Sequence, residues 1–197
     1  MKPVFLAALA VLLLLPAKTL CQRDYFTPEE VEVIRNEQQI DTRIDALVHC
    51  VDRRFAALNV DVHAPAFKAK KDDEWGPAPT GSRFDLLVDI KRILQKAIDD
   101  IDNLSERPDS MLIEVPDPTD KHPKKQKGFE ELFPAAVRSL AAAAQRYGPA
   151  LKIEVDKSKA PEEKGAILDS LEMCDEIMAA VNKLSAAPLA APKKPNN

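Results

Sequence analysis

The run from Arg83 to Leu104, RFDLLVDIKRILQKAIDDIDNL, decides the fold class. Apolar residues recur at Phe84, Leu87, Ile90, Leu94, Ala97, Ile101 and Leu104, in steps of three and four without a miss. That spacing lays one apolar stripe along an α-helix and leaves the other faces charged, the pattern of a helix buried on one side. Ser82, with Asp85 three residues on, supplies a box-like start, and Arg107-Pro108 lies beyond the end.

Three further stretches carry the same period. Upstream, Thr27-Pro28-Glu29-Glu30 is a helix start: Thr27 caps, Pro28 sits where no N–H is needed, and Glu30 closes a capping box. Phe26 and Val31 hold the staple positions, and the seam continues through Ile34, Ile40, Ile44, Val48, Val51, Phe55 and Leu58. This spacing predicts a first helix over 28–59. The polar gap at Glu37–Gln39 leaves its first turns projecting past the core. Downstream, Phe129, Phe133, Ala136, Leu140, Ala143 and Tyr147 mark a third helix, with Pro134 in its first turn or at a kink. Gly148-Pro149 interrupts it, yet Leu151 and Val155 carry the stripe on, so a kinked helix to about 156 is expected. The fourth starts at Pro161-Glu162-Glu163 and runs to Ser185 through Ile167, Leu171, Cys174, Met178, Val181 and Leu184.

Four stripes that cannot be buried singly are buried together in a bundle. The sequence therefore predicts an all-α fold: a four-helix bundle, up-down-up-down and antiparallel, with long loops over 60–80 and 105–127 that leave room for a crossover connection. Ile44, Val51, Phe55, Leu87, Ile90, Leu94, Ile101, Leu140, Leu171 and Val181 are expected in one core. Two similar pentads, 111–115 and 151–155, offer a small two-stranded ribbon as an alternative. No period of a helical solenoid is present. Composition agrees: of 197 residues only 5 are glycine and 16 proline, too little glycine for many tight turns or for phosphate-cradling loops.

The chain opens with Lys2 and an unbroken apolar run from Val4 to Leu15, about 18 Å as a helix and too short to span a bilayer. Pro16 ends it and polar sequence follows, the pattern of a secretory signal peptide; the alternative is an uncleaved anchor. Thr19 and Cys21 suit cleavage before Gln22, Ala17 is an earlier alternative, and Lys18-Thr19-Leu20 fits a lipoprotein signal poorly. The expected organisation is a signal peptide at 1–21, a helical domain at 22–185 and a disordered Ala/Pro/Lys tail at 186–197. Removing 1–21 takes away Lys2 and Lys18 and no acid, so 28 basic residues become 26 against 32 acidic. A chain of that sign is not built as a general binder of nucleic acid or acidic lipid. The expected location is extracytoplasmic, periplasmic or secreted, without stable membrane insertion.

Cleavage there leaves Cys50 and Cys174, an even pair in an oxidising compartment, and so a candidate disulfide. With helices 1 and 4 as antiparallel neighbours, the two would stand roughly 33 and 27 Å above the bottom of the bundle, a mismatch of about 6 Å. Two buried free thiols are the alternative.

Chemistry is sparse. No Glu-x-x-His pair and no Cys-x-x-Cys-His occurs, so a carboxylate di-iron site and covalent haem lack their residues. A noncovalent haem would need His49 with Met173 or Met178. His63 and His122 are dispersed in loops, and His49 and Cys50, adjacent on a helix, point apart. The acids at 99–102 and 169–176 read as solvated faces, the lysines at 68–71 and 121–127 as solvated linkers, and Trp75 as a cover for the bundle end. The expectation is a non-enzymatic exported protein with no catalytic, cofactor-binding or metal-ligating residues and no cofactor. It would act through its surface as scaffold, adaptor or accessory subunit, on a protein partner. The alternative is a small-molecule, metal or haem carrier, which requires an interior cavity with a few convergent polar groups.

Overall fold

The computed structural model of the chain describes residues 23–65, 74–108 and 128–186. These form five helices and, among the described residues, no strand: α1 (Pro28–Asn36), α2 (Ile40–Ala57), α3 (Arg83–Glu106), α4 (Phe129–Lys157) and α5 (Pro161–Ala186). The expected signal peptide and the segment 111–115 lie outside the described residues, as does the expected tail apart from Ala186, which ends α5.

The capping signals act as their residues dictate. The Thr27 hydroxyl accepts from the Glu30 N–H at 3.2 Å, and the Glu30 carboxylate accepts from the Thr27 N–H at 3.0 Å. Ser82 and Asp85 make the same reciprocal pair at the start of α3. The single helix expected over 28–59 is two helices. Residues 35–39 are all polar and offer nothing to bury. The chain turns there instead, with Arg43 Nε donating to the Glu37 carbonyl at 2.9 Å. The turn brings α1 back onto α2 rather than past the core: Glu30 and Val33 are buried, while Val31, the expected staple partner of Phe26, is exposed.

In α4 the helix runs unbroken through Pro134 and Pro149. Tyr147, Leu151 and Glu154, spaced four and three apart, are all buried, so burial of one face holds the helix across Gly148-Pro149. Residues 151–155 are thus helical, and the ribbon alternative falls.

Eight of the ten expected core residues are buried in one cluster; Leu171 and Val181 are half-buried against it. Phe84, expected in the stripe of α3, is 39% exposed, and α5 buries Ala166, Ser170, Met173 and Ile177 beside its expected seam. The helix packing is α2 on α3 and on α4, and α5 on the same two. Helices α2 and α5 stand diagonally opposite, and α3 meets α4 only slightly across the other diagonal. Ser139 donates to Asp45 at 2.5 Å and Tyr147 to Asp52 at 2.7 Å, so α2 and α4 run in the same direction. Arg83 bonds Glu163 and Lys91 bonds Asp169, so α3 and α5 also run together, while Arg83 on Glu154 brings the start of α3 to the end of α4.

This order corrects the premise of the disulfide. The first and last long helices are diagonal, not neighbours, and Cys50 and Cys174 are both free and buried.

Candidate functional site

Two arrangements stand out once the helices are placed. The first is a buried ion network where α1, α2 and α3 meet. The Glu30 carboxylate has no exposed surface, and it takes Arg53 at 2.5 Å and Arg54 Nη2 at 2.6 Å. Arg54, itself 1% exposed, also donates to the carbonyls of Tyr25 (2.6 Å) and Cys50 (3.1 Å). Its Nε lies 3.9 Å from the buried Asp89 carboxylate, which pairs with Arg23 from the N-terminal segment. Burial pushes the Asp89 carboxyl above its ordinary value, against the pull of Arg23. Five charges, three basic and two acidic, thus tie residues 23–30 to α2 and α3. Arg53 extends the tie to the carbonyl of Gly76, at 3.2 Å. Gly76 has φ +61°, a left-handed backbone conformation that favours glycine, and its Cα lies against the movable Glu29 side chain of α1.

Chemically this network is closed. Its carboxylates are held by guanidinium groups that stay protonated, and the thiol that meets it, Cys50, is fully buried, with burial first and then the Glu30 charge keeping it protonated. The sequence held a signal for it. Leu86, Asp89 and Ile93 form a second inward row on α3, and Leu47, Cys50 and Arg54 form one on α2. A charge within an apolar row marks a buried charge in need of a partner.

The residues singled out for chemistry are not brought together. His49 sets its ring edge-on to Trp75, centroids 4.5 Å apart at 69°. Burial first, and then the Arg53 charge, hold its pKa below the usual value. Trp75 therefore covers the flank of α2 rather than the end of the helices. Met173 and Met178 lie on α5, diagonal to His49 on α2. Burial pushes the thiols of Cys50 and Cys174 up, the latter to about 12. Among the described residues no three His, Cys, Asp or Glu gather as a metal-holding group, and no helix is long and apolar enough to cross a membrane. His122 and the lysines at 68–71 and 121–127 lie outside the described residues, while His63 is exposed beside Asp61.

The second arrangement is an open cleft of about 380 Å³ between the later turns of α3, the first turns of α4 and the later turns of α5. Its walls are Ile98 and Ile101, then Phe133, Val137 and Leu140, then Ile177 and Ala180. Phe129 stacks on Phe133, centroids 5.0 Å apart, and fixes that wall. Two polar side chains complete the lining, Asp102 and Glu176, both exposed. Sequence reading missed the cleft because each stripe reads as a filled seam on its own. Its only trace is small Ala180 on the helix that faces Phe133.

No protein-family model, curated protein or solved structure matches the chain.

Proposed function

We propose that this chain is an exported, non-catalytic four-helix bundle that works by binding, as a scaffold, adaptor or accessory subunit acting through its surface. The bundle reading takes α2, α3, α4 and α5 as its helices in alternating directions, with 107–128 as a connection between diagonal members. The alternation of helix-pair contacts and the bond pairs 45–139 and 91–169 support it. The single observation that carries the functional reading is the apolar cleft, open at the surface and lined by two carboxylates. The buried, strongly protonated thiols speak against nucleophilic chemistry, since the thiolate is the reactive form.

The test is co-purification with the tagged chain expressed in its native envelope, beside an Ala180→Phe variant that fills the cleft. A stoichiometric protein partner that is lost from the variant is expected; a wild-type chain without such a partner overturns the adaptor reading. Intact-mass analysis of the exported material is expected to begin at Gln22, and retention of 1–21 would reject export by cleavage.

A second reading, a small-molecule carrier, is favoured by the cleft's volume, which falls in the range of ligand pockets, roughly 300–1,000 Å³.

A further inference from the structure

We propose that the cleft between α3, α4 and α5 binds a small apolar molecule carrying one positive charge. This inference rests on the carrier reading and names the class of cargo.

Size comes first. A closed cavity of ~150 Å³ accepts benzene; at about 380 Å³ this one has room for an alkyl chain or two fused rings with a compact head group. The lining spans only 98–102 on α3 and 176–180 on α5, about 6 Å along each axis, and 133–140 on α4, about 10 Å. A docked helix reads anchors over two turns on every side of a groove. One turn on two of three walls is too short for a whole docked helix. It suits a guest the size of a single partner side chain or a small molecule, and the proposed guest is the small molecule.

Charge decides the rest. The polar side chains of the lining are both carboxylates, and neither Asp102 nor Glu176 is ion-paired to a described residue. Around them acids outnumber bases. From 97 to 106, α3 carries Asp99, Asp100, Asp102 and Glu106 without a base, and α5 has no base between Lys164 and Lys183. The first turn of α4 adds Glu130 and Glu131. Lys96 offsets Asp100, Arg107 follows Glu106, Arg138 adjoins Val137 on α4 and Lys183 follows on α5; the acids on these three helix segments still outnumber those bases. A cleft with low-dielectric walls and one sign of charge concentrates the opposite ion. An apolar anion would meet two carboxylates, and a neutral guest would leave them unused.

The experiment titrates the exported chain by calorimetry with three probes sharing an eight-carbon tail: octyltrimethylammonium, octyl glucoside and octanoate, each below its micelle concentration. One molecule of the ammonium probe is expected per chain, about 10-fold tighter than the glucoside, with octanoate weakest, because two partly exposed carboxylates together give roughly that factor. The preference should shrink as salt is added. In the double variant Asp102→Asn, Glu176→Gln, the ammonium and glucoside probes should bind alike. In Ala180→Phe, at an exposed rim position that the fold does not need, all three should lose binding. Equal wild-type binding of the neutral or anionic probe, or a cation preference surviving in the double variant, overturns the charge assignment and leaves the carrier standing. Absence of binding by every probe, or binding undiminished in Ala180→Phe, overturns the carrier reading and this inference together.

Discussion

At Glu30 a capping residue doubles as the acceptor at the centre of a buried ion network, so one side chain serves both the start of α1 and its attachment to α2. Removing one partner from such a network leaves the others buried and uncompensated. Glu30→Ala is expected to cost about 3–5 kcal/mol in urea unfolding, because it strands Arg54. The double variant Glu30→Gln, Arg54→Met should cost clearly less than the sum of its two single changes, since it removes charge from both sides; an additive cycle would show that the two groups do not interact. His49 gives a pH dependence. Burial, followed by the Arg53 charge, holds its folded pKa below the unfolded value of about 6.5, with Asp52 and Glu30 pulling the other way. The unfolded chain then takes up the proton first as pH falls. Stability is complete above about 6.5 and is lost as pH falls from there toward the folded value. Between pH 7 and pH 5 the urea midpoint should drop more in the wild type than in His49→Gln. Equal drops would place the cause elsewhere; Asp89, whose raised value acts with the opposite sign, is present in both proteins and cancels from the comparison.

At the scale of the element, α1 is nine residues long and too short to stand alone, so its two caps and one charge network must hold it. Thr27→Ala should cost about 1 kcal/mol. It should also raise hydrogen exchange in Pro28–Asn36 before the four longer helices respond; uniform loss of protection instead would make α1 part of the global unfolding unit. Caps and stripes were readable because their signals sit within a few residues of one another. Thr27 to Glu30, Ser82 to Asp85, and the Tyr147–Leu151 step across Gly148-Pro149 are all local patterns realised in the structure. The break after Asn36 was half readable. Its polar stretch was plain, but the direction taken afterwards depends on Glu30 meeting Arg54, 24 residues on. The second inward rows were missed for a related reason. Asp89 and Arg54 look like surface charges until a partner from another helix is placed beside them.

The whole molecule adds what no stripe contains: which helix stands beside which. Heights along the helices follow from residue counts, and those counts brought Cys50 and Cys174 nearly level. Lateral order does not follow from residue counts, and the same lateral order builds the cleft from three helices whose seams look full one at a time. Helices packed at 8–10 Å on a square leave diagonal axes about 11–14 Å apart, and inward-facing Cα atoms about 7–9 Å apart. A disulfide needs roughly 4.4–6.8 Å. The two thiols are also shielded: Cys50 has no exposed surface and Cys174 is 2% exposed, with burial raising both above the usual thiol range. Even in an oxidising compartment, such thiols present almost no thiolate to an oxidant or a mixed disulfide. A chain beginning at Gln22 is therefore expected to yield two free thiols when denatured without reductant, and to melt at the same temperature with and without reductant. The same chain lighter by two hydrogens, with a melt that drops on reduction, would bring α2 and α5 together as neighbours. That outcome would dissolve the cleft along with the diagonal order, because α3 and α5 would no longer share a wall.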